Sequence, residues 1–375
     1  MPWSPVTVNN QREEFVSLAR QADANVSDLC RRFGISRKTG YKWLGREHLD
    51  DCSRRPLSTP TQTATEIQSK VVALRAAHPA WGGRKISHVL ARDESVELAP
   101  STVTSILHRH GLISPEASAS STPWHRFEHD QPNSLWQMDF KGYVMLGSGS
   151  GRCNPLTVID DHSRFNLTLE ALPGQTRLLV QPVLRRTFER YGLPNQINAD
   201  NGTPWGSSGQ GITALGVWLV RLGIKVSHSR PLHPQTNGKD ERFHRTLLAE
   251  AMTGPRFPDL AAAQARFDHW RHVYNCKRPH EALGMQTPVE RYKPSLRPMP
   301  DQLPPIEYGP DDEVRNVQAC GIVKFKGRRL RTSYALHGEP VAMRPSEAGD
   351  GVYDVYYCHQ KVDRFDLNSV QSSEI

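Results

Sequence analysis

Apolar residues recur at helical spacing through the first fifty positions of the chain. Phe15, Leu18 and Ala19 fall at i, i+3 and i+4, and Val26, Leu29, Cys30 and Phe33 continue the pattern in a second segment. Gly34 breaks that segment, and Ser36 stands as a plausible N-cap for a third, SRKTGYKWLGR. Helix, helix, glycine turn, helix is a helix-turn-helix outline, expected over residues 8–48. Its third helix carries Arg37, Lys38, Thr39 and Lys42, residue types that meet phosphates and base edges. A generic helical bundle with a solvated basic face has the same pattern.

Residues 49–64 are rich in Ser, Thr and Pro and read as a linker. A second helix-turn-helix outline is expected over 62–113: Ile67, Val71 and Leu74 on one helix, RKISHVLARD after Gly82-Gly83, and STVTSILHRHGL after Pro100. This block is nearly neutral, so nucleic-acid contact and scaffolding both stay open. SPEASASSTP at 114–123 is a second linker. The pattern then changes to strands alternating with helices over 125–295. LWQMDFKGYVML, LTVIDDHSR and FNLTLEAL read as strands, 176–191 as a helix ending at Gly192, and QINADNG as a strand end. ITALGVWLVRLG, KVSHSRP, GKDERFHRTLLAEAM and 259–276 follow as helix, strand, helix and helix. Three strands followed by helix-strand units predict a mixed sheet with flanking helices. Residues 296–312 read as a Pro- and Asp-rich linker, and five short β-like runs over 313–368 predict a small β-barrel.

A chain of 375 residues fits this multidomain reading. The formal net charge is +8. It is concentrated in residues 126–300, where 22 Lys and Arg face 15 Asp and Glu, whereas residues 301–375 are net acidic, with 9 against 12. A basic balance there favours a polyanionic partner. The six cysteines form no CxxC pair, which argues against a zinc ribbon and fits a reducing cytosol. MPWSPVTVNNQREEF has no apolar signal segment, and no stretch of about 18 apolar residues occurs, so the expected location is cytoplasmic with no membrane partner.

Three acidic residues stand out by position. Asp139 lies between Met138 and Phe140 in an apolar strand, where an acid is costly unless paired or metal-bound. Asp200 ends a strand before the turn pair Asn201-Gly202. Glu241 begins a helix, a position that the helix dipole favours for any acid. By position alone all three are also ordinary turn and cap acids. If they converge, they suit a hard divalent cation such as Mg²⁺. Asp160 and Asp161 in VIDDHSR are rivals, with turn and cap roles the commoner use of such acids.

The strings LWQMDF, NADNGTPW and HPQTNGKDERFHRTL closely resemble the DDE catalytic core of retroviral integrases and insertion-sequence transposases. VYNCKRPHEALGMQTPVERY resembles the segment that closes that core in the bacterial members, and the nearest group is the insertion-sequence 481 family and its relatives. The resemblance implies an RNase H-like catalytic core and two Mg²⁺ or Mn²⁺ ions held by Asp139, Asp200 and Glu241. It also implies cleavage of transposon ends and strand transfer by 3′-hydroxyl attack on target double-stranded DNA, by a homo-oligomer assembled on that DNA. His233, Gln235, Asn237 and Lys239 are expected to line the DNA channel, His244 and Arg245 to contact a DNA phosphate or orient the Glu241 carboxylate, and Arg278 and His280 to brace the core or touch DNA. Lys324, Lys326, Arg328, Arg329 and Arg331 form a basic run in the acidic tail. Two departures stand against the retroviral pattern: the cysteine pair of a His-His-Cys-Cys zinc domain is missing, and the Asp200–Glu241 interval is longer, with GSSGQG at 206–211 as the place for an insertion. The rival readings are a catalytically silent DNA-binding regulator and a nonspecific nuclease.

Overall fold

The structure, a computed structural model, describes residues 7–51, 62–113, 129–147, 149, 151–206, 211–228 and 238–368. Two compact units divide the chain, Met1–Ala64 and Thr65–Ile375.

In the first unit, α1 (Val8–Ala19), α2 (Val26–Arg32) and α3 (Arg37–Leu44) enclose Phe15, Val16, Leu29, Cys30 and Trp43. Gly34 takes the left-handed conformation between α2 and α3, at φ +65°. Ser36 caps α3 as expected, its hydroxyl accepting the Thr39 N–H at 3.1 Å. Gly40 lets the helices close: a Cβ there would lie 2.6 Å from Cys30 Sγ and 2.9 Å from the Phe15 ring.

In the second unit, α4 (Thr65–Ala77), α5 (Gly83–Glu94) and α6 (Pro100–Arg109) form a helical block around Val71, Trp81, Ile86, Leu90, Val103, Ile106 and Leu107. Val273, from the α/β region, belongs to the same buried cluster. Arg84 and Lys85 also pair with Glu281, at 3.2 and 3.4 Å. This block therefore packs on the α/β region rather than standing apart from it.

The α/β region is built on strands β1 (Trp136–Phe140), β2 (Val144–Met145), β3 (Arg152–Asp160), β4 (Asn166–Leu172), β5 (Gln196–Ala199) and β6 (Lys225–His228). Across the sheet the order is β4-β3-β1-β5-β6, with β2 pairing to the start of β3. β4, β3 and β1 are antiparallel neighbours, while β1, β5 and β6 run parallel. This is the mixed sheet that the strand order predicted. Helix α7 (Arg177–Tyr191) connects β4 to β5, and α8 (Ala214–Arg221) connects β5 to β6. Val180, Leu184, Phe188, Leu215 and Leu219 bury one face of the sheet against Trp136, Met138, Leu156 and Val158. The other face, with Cys153, Ile159 and Leu169, packs against α9 (Gly238–Leu247), a π turn at Leu248–Met252 and α10 (Leu260–Cys276). Cover on both faces explains why β3 is buried almost throughout instead of alternating. Leu167 is the extra residue of a β-bulge, because Val158 faces Thr168 while Ile159 faces Asn166; Leu167 and Leu169 thereby serve opposite faces.

Past the short helix α11 (Pro288–Arg291), the expected linker at 296–312 is strapped to the α/β region. Arg297 donates to the carbonyls of Pro194, Leu222 and Gly223 at 2.7, 3.1 and 2.9 Å. The tail holds β7 (Glu313–Asn316), β8 (Ile322–Phe325), β9 (Arg328–Arg331), β10 (Pro340–Pro345), β11 (Val352–Tyr357) and β12 (Gln360–Asp366). These form an antiparallel sheet in the order β12-β11-β10-β7 and a separate β8-β9 hairpin. The small barrel expected from the sequence is not closed among the described residues. Tail residues Val323, Leu336, Val341 and Tyr357 share one buried cluster with α7 and α8, and Arg221 pairs with Glu339 at 3.3 Å. Burial against the α/β region thus replaces closure of the sheet on itself.

Phe188 is fully buried at the centre of this packing, between Trp136 and Trp218 with ring centroids 5.9 and 5.7 Å away. Phe188→Ala is expected to lower the unfolding free energy of the 65–375 unit by about 3–5 kcal/mol. Urea denaturation followed by tryptophan fluorescence measures this, and an unchanged midpoint would contradict the packing described.

Candidate active site

The parallel pairing of β1 with β5 sets Met138 opposite Ala199. The next residue on each strand is an acid, so Asp139 and Asp200 come side by side at the carboxyl ends of neighbouring strands. In open α/β sheets this is where ligands bind. Asp139 is largely buried, its side chain 24% exposed, and its Oδ1 accepts the Phe140 N–H at 2.7 Å. Burial and the charge of Asp200 push its carboxyl up to about 6. Asp200 Oδ1 accepts from the Gly202 N–H at 2.9 Å and from the Trp205 indole N–H at 2.5 Å. The Trp205 ring stacks on Phe140 with centroids 5.1 Å apart. One aromatic pair therefore ties the residue after Asp139 to the group that holds Asp200. His228, at the end of β6, donates through Nδ1 to the Asp200 carbonyl at 2.9 Å.

Glu241 lies on α9 and is exposed. Among the described residues no three His, Cys, Asp or Glu side chains stand close enough together to hold a metal ion. The structure thus brings Asp139 and Asp200 together and leaves Glu241 outside that pair. Two adjacent carboxylates, one of them buried and resisting ionisation, are nevertheless a donor set whose repulsion a hard cation relieves.

Other expected site residues fall in different places. His233, Gln235 and Asn237 lie outside the described residues. Arg245 is exposed beside Glu241 and Arg242 on the outer face of α9, as a DNA contact requires. His244 is a correction: it is 8% exposed and points inward. Its Nε2 lies 3.0 Å from Thr157 Oγ1 and its Nδ1 3.8 Å from Asp139 Oδ2. Burial and nearby Lys141 press its pKa down to about 3, so the ring is neutral. Lys239 is also corrected: its ammonium pairs with the buried Asp161 carboxylate at 2.5 Å instead of projecting into a channel. Asp161 further accepts from Gln137 Nε2 at 2.7 Å and the His129 N–H at 3.0 Å. Asp160 accepts from the Asn133 and Ser163 N–H groups and the Ser163 hydroxyl at 2.6–2.8 Å. Both rivals to the pair are occupied in holding turns. Arg278 and His280 are buried near Glu250 and Tyr274. In the first unit, Arg37, Lys38 and Lys42 are exposed, but the Thr39 hydroxyl is 2.9 Å from Ser36 Oγ within the helix cap. Sequence reasoning gave no role to Thr157, Trp205 or Lys141. Thr157 faces Asp139 across the β1–β3 ladder, a relation visible only once the register is known.

Residues 129–234 and 222–288 match two family models, both described as integrase core domain. Residues 129–288 are therefore similar to the integrase core domain. Residues 312–373 match the IS481 family transposase, C-terminal domain, and residues 11–56 and 38–107 match a helix-turn-helix and a homeodomain-like domain. The chain is thus similar in separate segments to the integrase core and to the IS481-type C-terminal domain, and its relatives include insertion-element proteins. An insertion element IS476 protein of Xanthomonas euvesicatoria is 25% identical over 284 residues, covering 75% of this chain and 76% of the relative. An insertion element IS407 protein of Burkholderia multivorans is 31% identical over 160 residues, covering 42% of this chain and 55% of the relative. The HTLV-2 integrase catalytic core domain, solved in complex with magnesium, aligns at 16% identity and a TM-score of 0.32, over 44% of this chain and 99% of that one. No helix among the described residues is long and apolar enough to cross a membrane.

The raised Asp139 pKa has a consequence for stability. An acid titrating at about 6 when folded and near 3.8 when unfolded contributes stability that is full below about pH 3.8 and lost as pH rises through 6. At pH 7 without divalent cation, Asp139→Asn is therefore expected to stabilise the protein by about 1–3 kcal/mol, with no gain below about pH 4. Thermal melts of both proteins in chelator across pH 4–8 measure this; equal melting temperatures at pH 7 would contradict it.

Proposed function

We propose that this protein is a DNA transposase that cleaves transposon ends and joins their 3′ ends to target DNA, with Asp139, Asp200 and Glu241 as its catalytic carboxylates. The observation that carries this reading is the parallel register that sets Asp139 beside Asp200, on a domain that matches the integrase core. Two Mg²⁺ or Mn²⁺ ions held by these carboxylates would activate the attacking oxygen and stabilise the leaving one. Asp139 offers Oδ2 to such an ion, since Oδ1 is taken by the Phe140 N–H. The Trp205 indole and the Gly202 N–H hold Asp200 Oδ1 and so aim the carboxylate. Glu241, one helical turn from the buried His244, supplies the third carboxylate from the solvent side of α9. In joining, the transposon 3′-hydroxyl oxygen bonds to a target phosphorus and gives its proton to solvent, while the bond from that phosphorus to the target strand's 3′ oxygen breaks and that oxygen takes a proton from solvent.

The division of labour follows the segments. Residues 8–48 and 62–113 recognise transposon ends, 125–295 carry the chemistry, and 313–368 support it. Arg37, Lys38 and Lys42 on α3, with the exposed Tyr41 among them, face the DNA. Arg245 meets backbone phosphate near the carboxylates, with His233, Gln235 and Asn237 on the same DNA path. The working form is a homo-oligomer on paired ends, in the cytoplasm.

Asp139→Asn, Asp200→Asn and Glu241→Gln are each expected to bring cleavage and joining below detection, while band shifts with terminal-repeat DNA stay unchanged. Strand transfer by any of the three would sink the assignment of that acid. End binding by the unaltered protein with no metal-dependent joining would favour a silent regulator, and cleavage of any duplex without joined products a nuclease.

A further inference from the structure

Glu241 serves the acid pair only if α9 sits at the right height and rotation on the sheet. Much of what holds α9 is apolar. Phe243 packs edge-on against Trp270 and Tyr274, with centroids 5.4 and 5.0 Å away, and Leu247 is fully buried beside them. Such packing is non-directional, and a small axial slip disturbs it little.

Two side chains of α9 make directional contacts: Lys239, whose ammonium pairs with Asp161 after β3, and His244, which reaches β3 beside the acid pair. Thr157 Oγ1 donates to the Asp139 carbonyl at 3.0 Å, and that carbonyl can only accept. The hydroxyl has a single proton, so toward the imidazole it accepts, and His244 Nε2 carries the hydrogen of the 3.0 Å contact. The other ring nitrogen, Nδ1, then faces Asp139 Oδ2 at 3.8 Å. One side chain of α9 thus bonds to β3 through Thr157 and lies next to Asp139 of β1 without a hydrogen bond to its carboxylate. A leucine would fill the same space without the burial cost of a polar ring, so packing alone does not call for histidine here.

We propose that His244 is a positioning residue that sets the register of α9 on β1 and β3, and through it the place of Glu241 beside Asp139 and Asp200. The inference rests on the carboxylate reading above. His244 lies three residues after Glu241 on the same helix, buried where Glu241 is exposed, so both move together with α9. A slip of one residue would break the Thr157 bond and carry Glu241 about 1.5 Å along the helix axis and onto another face.

The test uses the full chain and three variants. His244→Leu keeps the volume and removes the donor. Thr157→Val removes the acceptor at nearly constant shape. His244→Gln places its amide nitrogen where the imidazole Nε2 lies and so keeps the donor. The readout is the MnCl2 concentration that gives half of the metal-dependent rise in melting temperature, with joining rate against MnCl2 as a second measure. The Leu and Val variants should raise the half-saturating concentration about 10-fold, as loss of a partner that orients a metal-holding group does. The Gln variant should recover most of that shift, and binding to terminal-repeat DNA should not change in any of them. A purely structural role would lower the metal-free melting temperature and leave the half-saturating concentration in place, and that result overturns the inference. Absence of any MnCl2 effect on the unaltered protein would instead overturn the metal-holding reading itself, and this inference with it.

Discussion

The pairing of β1 with β5 is the constraint on which the site depends. Because Met138 stands opposite Ala199, the next residue of each strand brings a carboxylate to the same sheet edge. A shift of one residue would turn Asp139 to the other face of the sheet and separate the pair. Placing two acids there costs stability, since Asp139 is largely buried and feels the charge of Asp200. The surroundings accept that cost and hold the arrangement. Trp205 donates to Asp200 and stacks on Phe140, and the Thr157 hydroxyl secures the Asp139 carbonyl from the neighbouring strand.

The rest of the second unit keeps that sheet edge rigid. Helices α7 and α8 bury one face, and α9 with α10 bury the other. The Pro-rich segment after α11 is held by Arg297 against three carbonyls of the α/β region, and the tail sheet packs onto the α7–α8 side. The buried acids beside the pair have partners of their own: Asp160 has Asn133 and Ser163, and Asp161 has Gln137 and Lys239. Asp139 and Asp200 stand together at the sheet edge, with Glu241 on the adjoining helix.

Much of this was legible from local pattern. Apolar spacing located the three helices of the first unit, and Ser36 capped α3 as its position announced. The strand-helix alternation gave the mixed sheet, since its strands are separated by strong turn and helix signals. Long-range facts were not legible. Nothing local in SPEASASSTP or in the Pro-rich stretch at 296–312 reveals that the flanking blocks pack on the α/β region; that depends on Val273, Glu281 and Arg297 meeting partners far along the chain. Five short strands suggested a closed barrel, but strand pattern does not encode closure, and the apolar cluster shared with α7 and α8 covers the tail sheet instead. For the same reason Lys239 reads as a DNA contact, and His244 as a phosphate contact or a residue orienting the Glu241 carboxylate. In a basic stretch their side chains look solvent-bound, and only the tertiary placement of Thr157 and Asp161 turns them inward.

The central claim is that Asp139 and Asp200 share one electrostatic site. Its most direct test is the titration of the Asp139 carboxyl by carbon-13 NMR in metal-free protein, before and after Asp200→Asn. The account predicts a midpoint near 6 that falls when the Asp200 charge is removed. A midpoint in the ordinary aspartate range, unmoved by Asp200→Asn, would contradict it.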